Sequence, residues 1–212
     1  RLTADSHGFH RRTGEQVARA WRKRIEDRSV NQAGKQETRW ALVLIDLQRD
    51  LCLDPKRSEL VAAALPNILE LADRFHAKGL PIIYTKFELD EGDPQFDRFG
   101  DRYCIAGTDG ANLIDEVYPL LGTVVVKKKH SAFFETELDD ILAKTGSNGV
   151  VLCGLQTQIC ILTTAADAHH RGLGVLAASD GVISTRDEVR LHALEWIEKY
   201  VGSVRTSREI GA

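Results

Sequence analysis

The most constraining feature of this 212-residue chain is a recurrent alternation between short, unbroken apolar runs and stretches of helical spacing. Ala41-Leu42-Val43-Leu44-Ile45 is the first such run, and its lack of polar positions is the pattern of a central parallel strand buried on both faces. Pro81–Thr85, Thr123–Val126, Val150–Cys153 and Gly174–Ala178 follow as further strands, and Ser203–Arg205 reads as a last edge strand. Between them, Ser58–Lys78 carries Leu60, Ala64, Ile68, Leu71 and Phe75 at helical intervals and stops at Gly79. Pro66, inside that stretch, predicts a kink or a later helix start. Helices are also predicted over Asp109–Tyr118, Glu135–Lys144, Ile159–Arg171 and Arg186–Tyr200. Strands that alternate with helices give a mostly parallel sheet covered on both faces, hence an α/β, three-layer, Rossmann-like fold.

Residues 1–39 stand apart from that pattern. They hold ten Lys/Arg against five Asp/Glu, and Val17, Trp21 and Ile25 form a narrow apolar stripe on a basic helix over Gly14–Arg28. Asn31–Thr38 then reads as a polar linker. The chain divides on this reading into a basic helical extension and linker (1–39) and one α/β domain (40–212). Formal net charge is -3, so the total favours neither nucleic acid nor an anionic membrane. No apolar run approaches the ~20 residues of a membrane helix, and no signal-peptide pattern is present. The sequence begins at Arg1 and contains no Met, so a preceding segment is expected. Cys52, Cys104, Cys153 and Cys160 show neither C-x-x-C nor zinc-finger spacing, which fits reduced thiols and a cytoplasmic setting. No G-x-G-x-x-G or Walker loop is present, and no cofactor is expected.

In open parallel sheets, ligands bind beyond the carboxyl ends of the strands. Asp46 follows the first strand directly and Lys127 the third, while Cys160 follows the fourth by a short turn through Gly154. Each residue has a duller reading on its own. The aspartate can cap a turn, the lysine belongs to a Lys127-Lys128-Lys129 run, and a cysteine beside apolar residues is usually core. Their convergence on one edge is what points to chemistry. Cys160 at a helix start is expected to have a lowered pKa and to serve as nucleophile. Asp46 would move its proton, Lys127 would hold both charges, and backbone N–H groups of Gln156 and Cys160 would stabilise an oxyanion. The long polar and aromatic stretch Phe87–Gly107 has the character of a lid, and Cys52, Cys104 and His130 are further candidates to border the cleft.

These residues resemble a known family. Ala41–Gln48, Val125-Val126-Lys127 with Ser131-Ala132-Phe133, and Gly154-Leu155-Gln156-Thr157-Gln158-Ile159-Cys160 are similar to the isochorismatase-like cysteine hydrolases, from about residue 40 to about 206. That group includes nicotinamidases, N-carbamoylsarcosine amidases, and ureidoacrylate and biuret hydrolases. The resemblance implies an Asp46-Lys127-Cys160 triad, a cis bond between Leu155 and Gln156, a six-stranded sheet of order 3-2-1-4-5-6, and a homodimer or homotetramer. Nicotinamidases carry histidine metal ligands after the second strand, whereas Tyr84–Asp90 offers none, so no metal is expected here. Cys160 points to amide or ureide hydrolysis rather than to the vinyl-ether chemistry of isochorismatases proper. The expected partner is therefore a small carboxamide or ureido compound, in a pocket drawing on Leu51, Phe87, Phe133, Leu155, Gln156 and Ile159. The rival is a non-catalytic relative that binds a partner through its N-terminal helix.

Overall fold

β1 (Trp40–Ile45) is the strand on which the rest is laid, and its alternation shows why both its faces are apolar. Leu42 and Leu44 pack into one core, while Ala41, Val43 and Ile45 pack into a second on the opposite face. Parallel partners flank it on either side: β2 (Ile82–Phe87) and β4 (Gly149–Leu155). β3 (Thr123–Lys127), β5 (Gly174–Ile183) and β6 (Ser203–Arg205) complete an all-parallel sheet of order β3-β2-β1-β4-β5-β6, as expected. The computed structural model describes residues 37–117 and 122–211, and residues 38–212 form one unit. The helix expected over Gly14–Arg28 lies outside the described residues, as does most of the 31–38 linker.

One face of the sheet is covered by α1 (Ser58–Ala77), which buries Val61, Ala64, Ile68, Leu71, Ala72 and Phe75 against it. The opposite face carries α2 (Leu138–Thr145), α3 (Leu162–His170) and α4 (Asp187–Tyr200) through Leu142, Ala165, Ala168, Leu194 and Ile197. α1 starts at Ser58 and runs through Pro66, whose ring faces solvent, where water can satisfy the carbonyl one turn back. α2 closes on Gly146, which takes the left-handed conformation that ends many helices.

Three elements differ from expectation. Over 109–117, the described part of the helix expected from Asp109, only the 3-10 turn Asp109–Ala111 forms. Beyond it the backbone is committed elsewhere, since Ile114 N–H donates to Leu47 O at 3.0 Å and Arg49 N–H to Asn112 O at 2.9 Å. β5 runs five residues past Ala178, resuming its pairing with β4 after a register shift between Leu152 and Gly154. The helix predicted from Ile159 is preceded by a wide π turn, Thr157–Ile161, in which Ile161 N–H reaches Gln156 O at 3.2 Å.

Candidate active site

The register of the sheet explains why distant residues meet. Ile45 pairs with Gly154 and with Thr85, and Phe87 pairs with Lys127, so the carboxyl ends of β1, β2, β3 and β4 lie side by side. Asp46 takes a positive φ of 56°, which ends the strand and turns its side chain into this edge. Gly154 sits against β1 so closely that a Cβ would lie 2.1 Å from Ile45 O, and its φ is +107°. The close approach brings the following cis peptide, Leu155–Gln156, and the π turn with Cys160 over the end of β1.

Asp46, Lys127 and Cys160 come together. Lys127 Nζ lies 2.8 Å from Asp46 Oδ2 and 3.5 Å from Cys160 Sγ, and it also donates to Lys129 O at 3.2 Å. Thr85 fixes the carboxylate from the other side, its hydroxyl donating to Asp46 Oδ1 at 2.6 Å. Phe87 presents its ring beneath the ammonium, 4.9 Å from Nζ. Gln48, itself fully buried, holds Phe87 through both backbone groups and also donates to Ala111 O at 2.8 Å. Asp46 Oδ2 faces the ammonium as an ion pair without hydrogen-bond alignment, which leaves that oxygen able to accept from the thiol.

The electrostatics correct one expectation. Burial pushes the Cys160 thiol up to about 12, and the Asp46 charge adds to this against the opposing effect of Lys127. The thiol therefore rests protonated rather than as a preformed thiolate. Burial acts to lower the Lys127 ammonium, but Asp46 and Cys160 outweigh it, so lysine keeps its proton more firmly than usual. Both shifts favour a resting site in which a neutral thiol stands beside a lysine ammonium.

Above this cluster opens a cavity of about 210 Å³. Leu51, Phe87, Leu155, Gln156 and Ile159 line it with Asp46 and Cys160. Phe133 does not. It is buried on the α2–α4 face with Leu138 and Leu142, beneath the Arg171 guanidinium at 4.5 Å, because the chain after β3 turns away from the strand ends at this point. Cys52 and Cys104 are buried in the α1-side core rather than in the cavity wall. His130, a sequence candidate to border the cleft, lines it as well, whereas Arg57, Asp101 and Tyr103 are lining residues that the sequence does not single out. Asp101 and Tyr103 belong to the long segment after β2, which is tied down by Leu89 N–H to Cys104 O at 3.1 Å and Cys104 N–H to Asp50 Oδ2 at 2.7 Å. Arg57 precedes α1 and gives no signal in sequence beyond a charge at a helix start.

The exit of β2 places no metal-type cluster. Glu88 is paired with Lys86 at 2.5 Å and Asp90 with Lys128 at 2.6 Å. No group of three His, Cys, Asp or Glu side chains suited to a metal occurs among the described residues. No helix among them is long and apolar enough to cross a membrane.

Comparison with known proteins follows the geometry. Residues 40–209 match the family described as Isochorismatase domain. A secreted isochorismatase effector, Isc1, of Verticillium dahliae is 34% identical over 142 residues, covering 66% of this chain and 70% of that protein. The ureidoacrylate amidohydrolase RutB of Azorhizobium caulinodans is 27% identical, over 68% of this chain and 73% of its own. Among solved structures, the N-carbamoylsarcosine amidase of Thermoplasma acidophilum superposes with a TM-score of 0.76 at 29% identity, covering 82% of this chain and all of that one (100%).

Proposed function

The chain belongs to the isochorismatase family, and on that premise we propose that it is a metal-independent cysteine amidohydrolase acting on a small carboxamide or ureido compound. The observation that carries this reading is the contact among three strand-end side chains, with Lys127 Nζ 2.8 Å from Asp46 and 3.5 Å from Cys160. Similarity to amidohydrolases of N-carbamoyl and ureido compounds supports the substrate class. The ion-paired acidic groups at the β2 exit support chemistry without a metal.

The substrate carbonyl would enter the cavity above Sγ. As sulfur bonds the carbonyl carbon, the thiol proton passes to Asp46 and the ammonium of Lys127 stabilises the sulfur charge as it develops. The oxyanion is met by backbone N–H groups of Gln156 and Cys160. Asp46 then hands its proton to the leaving nitrogen, the C–N bond breaks, and a Cys160 thioester remains for water to hydrolyse. Because the resting thiol is neutral, nucleophile and base act together rather than in sequence.

Ammonia release across a panel of small amides, carbamoyl amino acids and ureides tests the proposal, with and without a chelator. At least one compound is expected to turn over, unaffected by the chelator, and Cys160→Ala is expected to abolish turnover. Activity that survives Cys160→Ala, or that a chelator removes, would overturn it.

A further inference from the structure

His130 takes no part in the chemistry described so far, yet it stands beside the nucleophile. Its Nδ1 lies 4.0 Å from Cys160 Sγ, and its ring stacks on Phe87 with planes 16° apart. The segment that carries it is braced against α3: Ser131 Oγ donates to Asp167 Oδ2 at 2.5 Å and Ala132 N–H to Thr164 Oγ1 at 3.0 Å. His130 is half-buried in the cavity wall, where entering water meets it, whereas Asp46 is fully buried. Asp46 Oδ1 already accepts from Thr85, and Oδ2 is the oxygen turned toward Lys127 and the thiol.

We propose that His130 is the general base of the second half-reaction, taking a proton from the water that cleaves the acyl group from Cys160. The inference rests on the thioester of the proposed function. Water oxygen bonds the acyl carbon while its proton passes to the imidazole. The C–S bond then breaks with its electron pair going to Sγ, and the imidazolium returns the proton to sulfur across the 4.0 Å gap. The acid product leaves, and both residues return to their resting states. Two bases thus divide the cycle: Asp46 for the thiol proton and His130 for the water proton.

The surroundings of the ring agree with this role. Burial, then the Lys127 charge and to a smaller extent Lys129, hold the imidazole below its usual value, and Asp46 opposes them only in part. It is therefore neutral, and able to accept a proton, at pH 7. Cys160 faces it as a neutral thiol, and Arg57, Asp101 and Tyr103 are the other charged or titratable groups of the cavity.

p-Nitrophenyl acetate separates the two half-reactions in the full-length protein, because the nitrophenolate burst reports acylation and the linear phase deacylation. In His130→Gln, and in His130→Phe, which keeps a ring against Phe87, the burst rate is expected to persist. The linear phase should fall by roughly 10²-fold or more, the lower range for lost general-base catalysis. An acetyl adduct should then accumulate on Cys160 by intact mass, kcat and KM should fall together, and hydroxylamine, which needs no base, should restore turnover. The acid limb of the kcat profile should also disappear. A linear phase at the wild-type rate, or burst and linear phases reduced alike, would overturn the proposal. Cys160→Ala separates this from failure of the thioester reading. A burst that survives there removes the acyl-enzyme itself, whereas a burst lost there with deacylation unchanged in the His130 variants removes only the role of His130.

Discussion

Replacing Lys127 by Met probes the ion pair at the base of the site more directly than loss of activity can. The two charges are fully buried and 2.8 Å apart. At an effective dielectric of about 20 their attraction is about 6 kcal/mol. Removing both ions from water costs several kcal/mol each, so the pair as a whole adds little net stability. Removing one partner leaves the other buried and uncompensated, which costs about 3–5 kcal/mol. Lys127→Met and Asp46→Asn are therefore each expected to lose about that much in urea unfolding followed by circular dichroism at pH 7. The double variant is expected to stay within about 2 kcal/mol of the parent, since neither charge is then stranded. Losses that simply add in the double variant would refute the reasoning, because they would mean that the two charges do not depend on each other.

Three more outcomes follow from the same geometry. Thr85→Val keeps the strand shape but removes the 2.6 Å hydrogen bond to Asp46, so a loss of about 1.5–3 kcal/mol in urea unfolding and a slower acylation burst are expected. Gly154→Ala would set a methyl group 2.1 Å from Ile45 O at a φ of +107°, and calorimetry should show a loss on the order of 3 kcal/mol. Burial pushes Cys52 and Cys160 up to about 12 from 9.0 and raises Cys104 and Cys153 as well. Above about pH 9 the unfolded chain has then lost thiol protons that the fold retains, so stability falls as pH rises. Lys127, raised above its ordinary value, acts in the same direction. A urea midpoint that stays flat from about pH 7.5 to 10.5 would count against this account.

The residues that could be read from sequence are those whose role follows from strand position. Asp46, Lys127 and Cys160 each sit at or just after an apolar run, so period and order alone bring them to one edge. The aromatic character of Phe87–Gly107 likewise announced a cavity wall, though not which of its residues face inward. What escaped depended on contacts distant in sequence. Asp109–Tyr118 has helical spacing, but Arg49 engages Asp109 and Asp115 at 2.9 and 2.6 Å and draws the segment into an irregular path. Phe133 was expected in the pocket, yet it packs with Leu138 and Leu142 in the core under α2 and α3 rather than in the cavity lining. The Cys160 thiol was expected to be acidic from its place near a helix start. Burial beside a carboxylate reverses that, and burial is not written in local sequence.

The lysine that governs both of its neighbours is carried by β3, which has β2 as its one neighbour in the sheet, while Asp46 and Cys160 depend on the central strands β1 and β4. Edge elements open at lower free energy than central ones. On warming, the ammonium would thus withdraw while most of the sheet still stands, and the thiol and carboxylate would be left intact but uncoupled. Loss of function and loss of fold would then be two events at two temperatures, with the margin between them set by how firmly Gln48 and Phe87 keep the edge in place.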